Sequence, residues 1–84
     1  MKSYIFSVVV EEDNFEDGSK AYHAYCPALQ GCHTWGHTHE EALVNIREAV
    51  ELYVEDLIDG PDGIPVDPEK GVLEWDTPSV VVNV

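Results

Sequence analysis

The run CPALQGCHTWGHTHEEAL at residues 26–43 constrains the fold more than any other part of the chain. It combines a turn containing Pro27 and Gly31, a short strand and the start of a helix. Thr38 is placed as the N-cap of that helix, and Glu41 follows three residues later. This is the capping-box pattern, in which each side chain bonds a backbone N–H of the other residue. An amphipathic helix is therefore predicted to begin directly after Thr38.

The helix is predicted over residues 40–58, because apolar residues recur there at steps of three and four. The predicted buried stripe consists of Ala42, Leu43, Ile46, Ala49, Val50, Tyr53 and Leu57. Gly60 is expected to take the left-handed C-terminal position, and Pro61 cannot continue a helix.

Three strands are predicted before the helix, at residues 4–10, 20–26 and 32–37, and together they form an antiparallel meander. Residues 4–10 are apolar on both faces, which is typical of a strand in the centre of a sheet. Residues 60–78, with four prolines and three glycines, are predicted to be an irregular connection. The β-branched run at residues 79–84 is predicted to be a final strand. The predicted fold is α+β with the order βββαβ.

The same elements resemble the HicB antitoxin family in their order and spacing. The matching pattern is an opening strand, an acidic turn with Gly18, an aromatic strand ending at PALQGC (residues 27–32), and then Gly36-x-Thr-x-Glu-Glu-Ala with the helix. It covers roughly residues 4–59. Gln30 is a departure, because relatives usually carry a second proline there.

The resemblance implies a partial ribonuclease-H-like fold and an antitoxin function. Such an antitoxin binds and masks a small basic mRNA-cleaving toxin of the HicA type, without chemistry of its own. Full-length relatives usually add a C-terminal DNA-binding segment. This sequence ends at Val84 without one, so we expect a single HicB-like domain over residues 1–84. The alternative is a stand-alone HicB-like module that binds a protein or small ligand and has no toxin partner.

The charge of the chain favours a basic protein partner over nucleic acid. The chain has 17 acidic and four basic residues, a net charge of −13. Binding to phosphate requires clustered Lys and Arg, whereas an acidic surface steers a cationic protein toward it. A signal peptide and an apolar run of membrane-spanning length are both missing from the sequence. We therefore expect a cytoplasmic protein that binds neither membrane nor nucleic acid directly.

Four carboxylates crowd the C-terminal half of the predicted helix, where the helix dipole favours cations. They are Glu51, Glu55, Asp56 and Asp59. Our hypothesis is that they meet a basic partner, together with the acidic residues of segment 11–17. The alternative is an ordinary solvated helix face. Trp35 and Trp75 are candidate interface anchors, since Trp is frequent in binding hot spots. Tyr53, and either Tyr22 or Tyr25, are expected in the core.

Catalytic and metal chemistry are not indicated by the spacing of the reactive residues. His33 and His37 share one face of a strand but lie about 13 Å apart, too far to bind one ion. Cys26 and Cys32 flank a five-residue loop and are expected to be free thiols in a reducing compartment. The predicted strands at residues 4–10 and 32–37 contain no carboxylate that could hold a nuclease metal. We therefore predict a protein that is not an enzyme and has no cofactor or metal.

One helix covers only one face of a sheet, so we expect the other face and the C-terminal edge to be covered by another copy. The predicted edge residues are Val80, Val82 and Val84. A homodimer or higher oligomer is therefore predicted.

Overall fold

The computed structural model of the chain describes residues 3–75 and Val82. Its elements are β1 (Ser3–Phe6), β2 (Val9–Asn14), β3 (Lys20–Tyr25), β4 (His33–Gly36), α1 (His39–Asp59), a short 3-10 helix (Pro68–Lys70) and β5 (Val72–Trp75). The α+β class is confirmed, with one long helix and antiparallel strands consistent with the predicted βββαβ order. Within the described residues, no helix combines the length and the apolar character that crossing a bilayer requires.

The predicted meander is present as β2-β3-β4, and α1 packs against it. The single opening strand that the sequence predicts is instead two strands, because the regular pairing is interrupted at Ser7 and Val8. β2 pairs with β3, whereas β1 pairs antiparallel with β5. The opening run therefore joins the meander to a second, two-stranded sheet.

The strand after the helix lies earlier in the chain than predicted. β5 falls inside residues 60–78, which the sequence analysis assigned to an irregular connection, and this assignment was wrong for residues 72–75. Val72 pairs with Phe6 and Trp75 with Ser3, so the backbone of β1 supplies the partner that makes this short segment a strand. The strand predicted at residues 79–84 lies outside the described residues except for Val82, which is exposed.

The core lies between the meander and the helix. Its buried members are Ala24, Cys26, Leu29, Cys32, Ala42 and Ile46, and the predicted stripe residues Ala49, Val50, Tyr53 and Leu57 pack against them. Leu43 does not belong to this core, because its side chain is 39 % exposed. A helix turns by roughly 100° per residue, so Leu43 faces away from Ala42, toward the side where β1 passes.

Both ends of α1 differ in detail from the prediction. The hydroxyl of Thr38 accepts a hydrogen bond from the backbone nitrogen of Glu41 at 3.0 Å, which confirms the N-cap. The carboxylate of Glu41, however, lies 3.2 Å from Nδ1 of His37, one residue before the cap. Gly60 has an extended backbone with φ −89°, so the left-handed assignment was wrong. Its N–H bonds the carbonyl of Leu57 at 3.1 Å, and this tight closure requires no positive φ.

The turn between β3 and β4 is held by its backbone. The amide of Cys26 donates to the carbonyl of Cys32 at 3.0 Å, and Gly31 adopts φ 78°, a conformation that residues with a β-carbon rarely take. This turn fixes the register of β4 on β3, with Tyr25 opposite His33 and His23 opposite Trp35.

Candidate partner-binding surfaces

The face of the meander turned away from α1, here called the open face, carries a row of side chains across three strands. Side chains alternate along a strand, so Ala24 points to the helix while its neighbours point outward. Glu11 pairs with His23, and His23 pairs with Trp35. One line of neighbouring positions therefore holds a carboxylate, an imidazole and an indole.

The rings on the open face contact one another. The ring centroids of His23 and Trp35 are 4.8 Å apart, and those of His33 and Trp35 are 4.9 Å apart. Tyr25 stacks on His23 at 5.5 Å. Tyr25 is thus part of this cluster, whereas Tyr22 packs against the core. Trp35 is 43 % exposed at the centre of the cluster, where a partner could reach it.

His23 is the member of this cluster that the sequence analysis did not consider. The position of His23 could have been predicted from the residue spacing, because Cys26 and Cys32 were expected at the ends of neighbouring strands. Counting back three residues from Cys26 and forward three from Cys32 places His23 opposite Trp35, as the structure has it.

The outer face of α1 combines carboxylates with large aliphatic side chains. From the helical period, Glu51, Glu55 and Asp59 lie on one side, opposite Ile46, while Asp56 lies further round. All four carboxylate residues are exposed. The exposed aliphatic residues of the helix include Val44, Leu52 and Ile58. Within α1 the last turn contains no basic residue, so the helix dipole there adds to the negative potential of the carboxylates.

A shallow apolar groove runs between β1 and α1. It consists of two adjoining depressions of about 250 and 400 Å³, which share Phe6, Val50 and Glu51. Apolar side chains form most of the lining: Tyr4, Phe6, Val8, Leu43, Ile46, Val50 and Val54. Glu51 and Glu55 stand on its rim with Arg47. The groove therefore has an apolar floor and a mainly acidic rim.

Arg47 forms an ion pair with Glu51 in this rim, with Nε 3.2 Å from Oε1. The two side chains are 82 % and 62 % exposed, so water screens the pair and it adds little to stability. A positively charged side chain of a partner can therefore replace Arg47 beside Glu51 at a small cost in free energy.

The acidic residues of the β2-β3 hairpin, in segment 11–17, are partly engaged within the chain. Glu12 forms an exposed ion pair with Lys20 at 3.2 Å. Asp17 accepts hydrogen bonds from the hydroxyl of Ser19 at 2.6 Å and from its backbone nitrogen at 2.9 Å, and these bonds hold the pKa of Asp17 below its usual value.

Trp75 and the C-terminal valines can be placed only in part. Trp75 ends β5, with its backbone paired to Ser3. Val82 is 76 % exposed, and Val80 and Val84 lie outside the described residues.

The two thiols are buried, free and poorly suited to nucleophilic chemistry. Burial raises the pKa of both Cys26 and Cys32, and the neighbouring Cys26 raises that of Cys32 further. The thiolate is the reactive form, so this environment disfavours reaction. In the part of the chain that the structure describes, no group of three or more His, Cys, Asp or Glu residues is placed to hold one metal ion.

This small α+β scaffold carries exposed carboxylates, an acidic-rimmed groove and a cluster of exposed rings, which are surface features typical of binding proteins. Comparison with known families agrees. The family model for the HicB_like antitoxin of bacterial toxin-antitoxin systems matches residues 6–75. The chain belongs to this family.

Curated relatives carry the name UPF0150 protein. One from Synechocystis sp. is 48% identical over 62 residues, covering 74% of this chain and 73% of the relative. One from Thermoplasma acidophilum is 44% identical over 62 residues, covering 74% and 84%. One from Helicobacter pylori is 47% identical over 53 residues, covering 63% and 67%. No solved structure matches the chain.

Proposed function

We propose that this chain is the antitoxin of a toxin-antitoxin pair, and that it binds and masks a small basic mRNA-cleaving toxin of the HicA type in the cytoplasm. Membership of the HicB_like antitoxin family supports the antitoxin role. The net charge of −13 supports a cationic partner. The chain makes and breaks no bond, and inhibition is steric and electrostatic.

The observation that carries this proposal is the acidic rim on the apolar groove between β1 and α1. Apolar side chains such as Phe6 and Val50 supply area that a partner can bury, which is the main source of affinity. Glu51 and Glu55 at the rim attract a cationic surface and raise its association rate. An apolar floor within an acidic rim suits a toxin segment that carries both aliphatic and basic side chains.

The remaining proposed contacts lie outside this groove. Asp56 and Asp59 continue the acidic surface around the end of α1, and Trp35 and Trp75 serve as anchors. We propose a homodimer or higher oligomer whose edge includes Val80, Val82 and Val84. A monomer by sedimentation at micromolar concentration would contradict that part. The chain itself does not contact nucleic acid, because it has four basic residues against 17 acidic ones.

Coexpression tests the proposal directly. The chain is coexpressed with a candidate HicA-type toxin, and growth is scored together with copurification of the toxin. Rescue of growth with a basic protein in the purified complex is the expected result. Failure of the folded chain to rescue or to retain the toxin would favour the stand-alone binding module instead.

Kinetics test which surface makes the contact. In the triple variant Glu51→Gln, Glu55→Gln, Asp56→Asn, the association rate at low salt is expected to fall by roughly tenfold or more, and the difference should shrink as salt is added. The matched control is Glu40→Gln, Asp62→Asn, Glu69→Gln, which removes the same charge from other exposed positions. Equal rates for the two triple variants would refute the role of the helix carboxylates.

A further inference from the structure

The open face of the meander brings two histidine rings together in a way that a hairpin alone does not require. Nε2 of His23 lies 3.3 Å from Nδ1 of His33. The two residues are diagonal neighbours, because His23 pairs with Trp35 and His33 pairs with Tyr25. The side chain of His23 is 24% exposed, so one member of the pair is held within the cluster and the other stands at its surface.

This separation matches the spacing of two ligands on a tetrahedral metal ion. Zinc binds histidine nitrogen at about 2.0–2.1 Å, and two ligands at the tetrahedral angle are then about 3.3–3.4 Å apart. We propose that Nε2 of His23 and Nδ1 of His33 chelate a divalent transition-metal ion of the zinc and copper type. Water fills the remaining coordination positions.

Glu11 completes the arrangement behind His23. Its Oε1 lies 3.9 Å from Nδ1 of His23, the ring nitrogen that does not face His33. A histidine that binds a metal usually donates its other N–H to a carboxylate, which fixes the tautomer and makes the ligand nitrogen more basic. Glu11 is therefore a positioning residue, and it reaches the ring after a small side-chain movement.

The neighbouring aromatic rings restrict the chelating pair. Tyr25 stacks on His23, and Trp35 contacts the rings of both His23 and His33. Less side-chain freedom is then lost on binding the ion. The net charge of the chain, −13, also raises the local concentration of cations.

A hydrogen bond between the two rings is the arrangement without metal. At 3.3 Å it is longer than the usual range of about 2.7–3.2 Å for an N–H donor. When the ion binds, both facing nitrogens contribute a lone pair, so the proton between them moves through solvent to the outer nitrogen of its own ring and both imidazoles stay neutral. The site therefore differs from the combination of His33 with His37, which the strand spacing excluded, because its second ligand is on the neighbouring strand.

Two other histidines in the chain provide matched controls. Nδ1 of His37 is already 3.2 Å from the carboxylate of Glu41, and His39 contacts Tyr22 edge-on at 6.1 Å between ring centroids. Both are exposed. Substitution of either removes an accessible imidazole without touching the proposed pair.

The experiment is calorimetric titration of zinc chloride into tag-free protein near neutral pH. We expect one ion per chain, and His23→Gln and His33→Gln are each expected to weaken binding by about tenfold or more. The double variant should bind zinc about as weakly as either single variant, because one substitution already destroys the chelating pair. His37→Gln and His39→Gln should bind as the unsubstituted protein does, and Glu11→Gln should weaken binding by about tenfold to a hundredfold.

Two spectroscopic readouts test the site without comparing affinities between histidine variants. In the Trp75→Phe background Trp35 is the sole tryptophan, and Cu²⁺ bound between the adjacent rings should quench its fluorescence. In the unsubstituted protein, zinc should shift the NMR signals of the His23 and His33 rings and leave those of His37 and His39 unchanged. Equal shifts in all four histidines, or equal zinc affinity after His23→Gln, would overturn the proposal. Neither readout depends on a toxin, so the proposed antitoxin function can fail or hold independently.

Discussion

The backbone of Gly36, at the end of β4, approaches α1 so closely that a β-carbon on Gly36 would lie 2.5 Å from the backbone nitrogen of Ala42. The carbonyl carbon of Glu41 would be 2.9 Å away. Both neighbours are main-chain atoms in the capped first turn, so neither can move aside cheaply. The glycine is therefore required by the contact between sheet and helix.

Gly36→Ala is expected to destabilise the fold by about 1–3 kcal/mol, the usual cost of an overpacked site. The free energy of unfolding from urea titration measures it. Gly60→Ala is the matched control, because its φ of −89° is accessible to alanine and its nearest contacts are ordinary at 3.5 Å. That variant should be unchanged or slightly more stable. Equal losses in the two variants would contradict the close approach at Gly36.

Thr38→Ala should lower the free energy of unfolding by about 1 kcal/mol. The hydroxyl of Thr38 bonds the amide of Glu41, and alanine leaves that donor without its cap. Thr38→Ser keeps the hydroxyl and should retain most of the stability. If the serine variant loses as much as the alanine variant, the hydroxyl is not what stabilises the helix start.

Ile46→Ala should cost about 2–5 kcal/mol, because it removes a buried side chain and leaves a cavity. Ile46 is 1% exposed in the core between sheet and helix. Leu52→Ala on the same helix is the control, since Leu52 is 65% exposed and its truncation should change stability by no more than about 0.5 kcal/mol. Thermal and urea unfolding of both variants would show whether the buried face is assigned correctly.

Asp17 should titrate below its usual pKa of 3.8 in the folded protein, since the hydroxyl and amide of Ser19 bond its ionised form. Because folding lowers this pKa, the stabilising contribution is present above about pH 3.8 and is lost as the pH falls through the folded value. In Ser19→Ala the amide bond remains and the hydroxyl bond is lost. Carbon NMR titration should therefore show the pKa of Asp17 rising toward 3.8 in this variant.

The elements that could be predicted from sequence were those specified by local signals. The helix followed from its capping residue and apolar spacing, and it begins and ends within one residue of the predicted range. β5 could not be recognised in the same way. Val72 and the three residues after it lie among prolines and glycines, and they form a strand because β1 offers a backbone edge distant in sequence. Pairing between strands that lie far apart in the sequence has no local signal, so it could not be predicted from residues 72–75 alone.

The candidate surfaces show the same division. Exposure of Glu51 and Glu55 followed from the helical period, but the groove beside them depends on where β1 lies relative to the helix. Leu43 was assigned to the core because the position of β1 could not be predicted from the helical period. In the structure Leu43 lines the groove. The contact between His23 and His33 depends on strand register, which the turn between Cys26 and Cys32 sets.

The acidic last turn of α1 links the stability of the helix to the occupancy of its surface. The last carbonyl groups of the helix carry partial negative charge, and they lie near the negatively charged side chains of Glu55 and Asp59. The last turn contains no basic residue that would offset this repulsion. A cationic partner bound at this end of the helix would reduce the repulsion from the carbonyl groups and from the carboxylates together. Amide protons near Asp59 should then exchange with deuterium more slowly in the complex than in the free chain, so the end of the helix reports on its own occupancy.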